Sequence, residues 1–167
     1  MISIELAKRV YLDSSAIDLD RLDYMGTIDK VYDVYFETTS RYTWVYLWDS
    51  VKERVAVEVP LSRRTRKGQV VHHPDYTKAD SRYRGQGLAL KVYQFLLKQG
   101  VVLQAGESQS AGSQKLWYKL AKTSKVEVWS MKGDKWQQCY PCDVTERVDA
   151  YDWDPYEVGN VTMAIGV

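Results

Sequence analysis

Residues 82–89, RYRGQGLA, place two arginines and two glycines at the front of the apolar run LALKVYQFLLKQG. The first amides of a helix have no partner within it, and the helix dipole makes that end electropositive. A phosphate laid there is held by several amides at once. Gly85 and Gly87 would keep side chains out of its way, and Arg82 and Arg84 would add charge-assisted donors. Tyr83, Gln86, Leu88 and Ala89 complete the segment. The same residues also read as a glycine-containing turn that simply enters a helix. Two familiar phosphate loops are absent: there is no G-x-x-x-x-G-K-[ST], and Leu90 stands where G-x-G-x-x-G needs its third glycine.

A second constellation is Cys139-Tyr140-Pro141-Cys142. A C-x-x-C pair serves as a redox dithiol or as half of a zinc site. Zinc needs two further ligands, and the two histidines, His72 and His73, lie far away in the chain. A thioredoxin-type dithiol opens a helix after a strand, whereas this one follows a hairpin pattern. Two ordinary thiols beside a proline turn, with no metal, is the expectation.

These residues need elements to hold them. DSSAIDLDRLDYMG opens on capping residues, and Ile17, Leu19, Leu22 and Met25 suit a short helix closed by Gly26. KVYDVYFETT, RYTWVYLWD and ERVAVEVPL are rich in Val, Tyr, Trp and Thr and read as consecutive strands, with breaks at SR and SVK. SRRTRKG reads as a basic loop at a hairpin tip, and GQVVHHPDY as a fourth strand. The central helix follows, with Leu88, Val92, Phe95 and Leu96 as its anchors. GVVLQAG then reads as a fifth strand. SAGSQKLWYKLAK reads as a second helix, with Leu116, Trp117 and Leu120 on one side and Lys115, Lys119 and Lys122 on the other. KVEVWSM and KWQQCY form a hairpin around KGDK, and VTMAIGV reads as a last strand. The order predicts one mixed α+β domain over residues 1–167 with a central βαβ crossover.

The chain has 167 residues, of which 45% are hydrophobic, enough for a real core. Its formal net charge of +1 argues against a whole-molecule field that draws in nucleic acid or a membrane surface. No apolar run reaches the roughly 20 residues of a membrane span, and the N-terminus lacks a signal-peptide pattern. A soluble protein of the cytoplasm is expected.

RYRGQGLALKVYQFLL resembles the acyl-CoA-binding segment of the GNAT superfamily, the GCN5-related N-acetyltransferases. The family pattern Q/R-x-x-G-x-G/A is matched by Arg82, Gly85 and Gly87, and Tyr83 with Arg84 fit its common YRG form. The resemblance extends over residues 30–140 in organisation and over 82–97 in motif. It implies a mostly antiparallel central sheet with helices on both faces. It also implies an acyl-CoA-binding βαβ unit whose loop, Arg82 to Ala89, holds the pyrophosphate of acetyl-CoA. ESQSAGSQKLWYKLAK is similar to a compact, divergent branch of the superfamily met in bacteriophages, which would place the chain in a host cytoplasm.

The resemblance further implies transfer of an acetyl group to a primary amine of a small molecule or a protein. That chemistry requires a deprotonated amine, a polarised carbonyl and a proton for the leaving thiolate. Tyr118, in LWYKLAK, matches the family's proton-donating tyrosine, although Trp117 competes for the inward position. His73 or His72 at the end of the fourth strand, Glu107 after the fifth, and Glu58 on the third are candidate bases. Only one of two successive histidines on a strand can face a cleft. TKADS, inserted between VVHHPDY and RYRGQG, departs from the family pattern. The alternative is a GNAT fold kept as a binding or interaction module without catalysis.

The acidic aromatic tail, with Asp149, Asp152, Asp154 and Glu157 among Tyr151, Trp153 and Tyr156, suits a cationic amine or packs as a solvated segment. The loop Arg63, Arg64, Arg66 and Lys67 reads as a soluble hairpin tip rather than a nucleic-acid contact. Unpaired sheet edges are where a homodimer would form.

Overall fold

Every residue of Tyr42-Thr43-Trp44-Val45-Tyr46-Leu47-Trp48 is β-branched, aromatic or leucine, and the segment forms a strand buried throughout from Thr43 to Asp49. The computed structural model describes residues 17–66, 68–105, 110–121, 126–132, 135–140 and 161–166. It divides into two compact units, Met1–Ser62 with Asp75–Ala89, and Arg63–Pro74 with Leu90–Val167.

In chain order the strands are β1 (Asp23–Ile28), β2 (Tyr32–Thr38), β3 (Tyr42–Asp49), β4 (Arg54–Arg66), β5 (Gln69–Pro74), β6 (Lys78–Ala79), β7 (Leu103–Gln104), β8 (Val126–Lys132), β9 (Lys135–Tyr140) and β10 (Val161–Gly166). Two α-helices accompany them, α1 (Leu88–Lys98) and α2 (Ala111–Ala121). Among the described residues the pairing is antiparallel apart from β5 beside β7, so the fold is α+β with a mostly antiparallel sheet.

In the first unit β1, β2, β3 and the leading part of β4 form an antiparallel meander. β6 lies against β4 through Val57↔Ala79 and Glu58↔Lys78. The turn between β2 and β3 is closed by Thr39, whose amide donates to Tyr42 O at 2.8 Å and whose hydroxyl accepts from Tyr42 N at 3.1 Å. Trp44, Tyr46, Trp48 and Val55 form a buried cluster, and Ile17, Leu19, Leu22, Tyr35, Tyr42 and Tyr76 pack on it.

The expected opening helix does not form. Leu19–Arg21 is a single 3-10 turn, capped by the Asp18 side chain on Asp20 N. The strand begins at Asp23, where a helix would still be running. Gly26, expected to cap a helix, instead has φ 142 beside a bulge that shifts the β1–β2 register between Tyr24 and Gly26. The spaced apolar residues Ile17, Leu19 and Leu22 reach the aromatic cluster from irregular backbone instead. The basic segment also differs from a loop: β4 runs on to Arg66 before the chain turns into β5.

The second unit orders its strands β5-β7-β10-β8-β9. β5 and β7 are parallel neighbours with His72 opposite Leu103. Helix α1 lies between them in sequence and buries Val92, Tyr93, Leu96 and Leu97, while Phe95 is only half-buried. Gly100, at φ 81, ends it in a Schellman arrangement, with Gly100 N donating to Leu97 O and Val101 N to Leu96 O. The strand expected over GVVLQAG is reduced to Leu103–Gln104. Ser110 caps α2 by accepting from Ser113 N at 3.2 Å. Trp117 and Leu120 are buried, Lys115 and Lys119 exposed, and Trp117 meets Tyr93 edge-on with ring centroids 6.0 Å apart.

Among the described residues no helix is long and apolar enough to cross a membrane.

Candidate functional site

The loop before α1 is built by local chemistry. Asp80 caps the 3-10 turn Ser81–Tyr83 by accepting Arg82 N at 3.0 Å. The same carboxylate takes the Arg82 guanidinium side-on, through Nε and Nη2 at 2.9 Å each. Arg84 Nε donates to Ala79 O at 3.3 Å, and the Gln86 amide donates to Arg82 O at 3.1 Å. Gly85 and Gly87 take φ 76 and 72, a left-handed backbone that glycine adopts freely. Apart from the glycine itself and its two chain neighbours, no atom lies within 4 Å of where a Cβ on either would stand. The glycines are therefore required by conformation, and the space over them is open.

The exposed arch Arg84–Gly87 hangs between two buried residues, Tyr83 and Leu88, which are 3% and 4% exposed. Tyr83 lies in the same segment, and its side chain enters the interior of the first unit. Its hydroxyl donates to Asp49 Oδ2 at 2.7 Å, and its ring meets Tyr32 edge-on at 6.3 Å. The Lys52 ammonium stands 5.6 Å from the ring centroid, within range of a cation–π contact.

Asp49 does double duty. Its Oδ1 accepts the amides of Val51 and Lys52 at 3.0 and 2.9 Å, which closes the turn after β3. Burial pushes its carboxyl up, but the donors from Tyr83, Lys52 and Val51, with the Lys52 charge, hold it below the ordinary carboxylate value. Burial, and then the bond to Asp49, raise the Tyr83 phenol. The contact makes the loop continuous with the β3–β4 turn.

In the second unit the two histidines separate as alternation demands. His72 N donates to Val102 O at 2.8 Å, and His72 is opposite Leu103. Its Nδ1 is buried without a hydrogen-bond partner, and burial, then the Arg63 charge, lower its basicity. His73 directs Nδ1 to the backbone oxygen of Gln104 at 3.0 Å. Gln104 is 3% exposed, and its side-chain oxygen is buried without a partner.

Glu58 is held differently from a base facing solvent. It is 2% exposed and accepts the Tyr76 hydroxyl at 2.6 Å. Burial raises its carboxyl, against the lowering effects of Tyr76 and Lys78. Opposite it in register stands Tyr46, stacked on Trp44 at 6.3 Å and 3.5 Å from Glu37 Oε2. Glu58 thus belongs to the aromatic packing of the first unit.

Trp117 takes the inward position on α2. The side chain of Tyr118 and all of Glu107 lie outside the described residues, as do Cys142, the side chain of Cys139 and the acidic tail. Among the described residues no group of three or more His, Cys, Asp or Glu could hold a metal ion. Asp49 and Gln104 escaped sequence reasoning because their roles depend on partners 34 and 31 residues away. Pro74, with no amide to offer a neighbouring strand, was the one local signal.

No protein-family model matches the chain, and no curated protein and no solved structure matches it either.

Proposed function

We propose that the chain is an acetyl-CoA-dependent N-acetyltransferase of the GNAT type, which moves an acetyl group to a primary amine of a small molecule or a protein. The carrying observation is the pair Gly85 and Gly87, both left-handed, both open above, at the entrance to an apolar helix. Neither glycine puts a side chain of its own in the way of a diphosphate, and the helix start favours its charge. The residues therefore fit the pyrophosphate of acetyl-CoA, which supplies an activated acetyl thioester when bound. Arg84 is exposed beside them, while Arg82 shares its charge with Asp80. The order strand, glycine loop, helix, parallel strand, helix and hairpin is the order the resemblance implies. Tyr118 on α2 is the proposed proton donor to the departing thiolate.

The reaction is tested by following free thiol release from acetyl-CoA across a panel of primary amines. Amine-dependent release supports transfer. Binding of acetyl-CoA with no release for any amine would leave a binding module and remove the catalytic reading.

A further inference from the structure

Asp80 N donates to Ala56 O at 3.0 Å, which sets the start of the glycine loop on β4. The side-chain bonds that follow are those from Arg82 to Asp80, from Arg84 to Ala79 O and from Gln86 to Arg82 O. All of them begin and end within residues 79–86. Such bonds shape a loop and travel with it. The Tyr83 hydroxyl reaches outside, to Asp49 Oδ2 at 2.7 Å. Tyr83 is also the residue directly before the exposed arch Arg84–Gly87.

Both ends of this contact are fixed. Asp49 is 5% exposed, and its Oδ1 accepts the amides of Val51 and Lys52, so the carboxylate cannot turn without giving up bonds. The Tyr83 ring is buried, edge-on to Tyr32, with Lys52 Nζ 5.6 Å from its centroid. A tyrosine side chain turns about two bonds, so a packed ring with a held hydroxyl leaves its backbone little freedom. The acceptor is a carboxylate, which makes the bond charge-assisted and stronger. A phenylalanine would fill the same space, so the hydroxyl is the part that holds the loop to β3. An arch held in place beforehand need not be ordered when a ligand arrives, and that ordering cost would otherwise be taken from the affinity.

We infer that Asp49 is a positioning residue for the glycine arch: through the Tyr83 hydroxyl it holds Arg84–Gly87 in the conformation that takes the pyrophosphate of acetyl-CoA. The inference rests on the proposed reading of that arch. Asp49 acts from the interior, through Tyr83, and the turn after β3 thereby becomes part of the cofactor site.

Tyr83→Phe removes the hydroxyl and keeps the ring. Titration calorimetry, carried out well below the unfolding temperature of the variant, should show acetyl-CoA binding about tenfold more weakly than to the wild type. A bond that served folding alone would leave that affinity unchanged. Nitrogen-15 relaxation of the backbone amides reads the free protein. Gly85 and Gly87 should become more mobile on the nanosecond scale in Tyr83→Phe, while buried Val45 on β3 stays rigid. Asp49→Asn supplies a second variant. Its oxygen stays on the two turn amides, and its nitrogen offers the phenol a neutral bond in place of the charge-assisted one. The loss of affinity should be about threefold, with no further loss in the Tyr83→Phe background. Equal acetyl-CoA affinity in wild type and Tyr83→Phe, or equal mobility of the arch amides, overturns the positioning role and leaves the acetyl-CoA reading intact. A loss from Asp49→Asn that persists in the Tyr83→Phe background overturns action through Tyr83. No binding by the wild type sinks the acetyl-CoA reading, and the positioning role with it.

Discussion

The Tyr83 hydroxyl donates to Asp49 Oδ2 at 2.7 Å in a buried contact between residues 34 apart in the chain. It ties the loop that precedes α1 to the turn that follows β3, because the other Asp49 oxygen closes that turn. The exposed arch Arg84–Gly87 is thus fixed at its near end by an interior hydrogen bond and at its far end by buried Leu88.

Tyr83→Phe leaves a buried carboxylate one donor short. The expected loss is about 1–3 kcal/mol at neutral pH, read from urea unfolding. The Asp49 carboxyl sits below its ordinary value in the folded chain, so it contributes stability above about pH 4 and loses it as pH falls through the folded value. The gap between wild type and variant should accordingly be full at pH 7 and shrink in acid. A gap that widens in acid would contradict the assignment.

Gly85→Ala and Gly87→Ala should each destabilise by about 1–2 kcal/mol, from backbone strain alone. No atom beyond the neighbouring residues lies within 4 Å of the added methyl group, so no tertiary clash contributes. Asparagine, which tolerates left-handed backbone, should cost less than alanine at either position. Thermal unfolding in the absence of ligand distinguishes strain from a contact.

Glu58→Gln should raise stability at neutral and alkaline pH and change it little in acid. The Glu58 carboxyl is raised by burial in the folded chain, so its neutral form is favoured there. Its contribution is whole below the ordinary glutamate range and is lost as pH rises through the folded value. Glutamine keeps an acceptor for Tyr76 and carries no charge. Urea midpoints of the two proteins should converge near about pH 4 and separate by about pH 8.

Trp117→Ala should cost about 3–5 kcal/mol, because Trp117 is buried and sits edge-on against Tyr93. Tyr118→Phe should leave the urea midpoint in place and slow amine-dependent thiol release at least tenfold, if release needs its proton. Equal effects on folding at both positions would place Tyr118 in the packing instead.

Much of the architecture could be read from the chain because local pattern and tertiary role agree. RYTWVYLWD is strand-like at every position, and LALKVYQFLLK repeats its apolar residues at helical spacing. The misreadings have physical causes. Ile17, Leu19 and Leu22 imitate a helical stripe, but they meet the aromatic cluster from a 3-10 turn and extended chain. The β1–β2 turn places Asp29 and Lys30 at φ 52 and 62 without a glycine to announce it. Arg63, Arg64 and Arg66 look like a loop by charge, yet they lie within β4. At the candidate site the glycines were legible, being a local backbone requirement. The inward turn of Tyr83 was not, since it is decided by Asp49 on a distant strand.

The central claim is that the open glycine arch seats the pyrophosphate of acetyl-CoA. Titration calorimetry of acetyl-CoA into the wild type and into Gly87→Trp tests it most directly. The account predicts saturable one-to-one binding by the wild type and at least a tenfold loss in a variant that remains folded. No heat of binding in the wild type, or equal affinity in the two proteins, would contradict it.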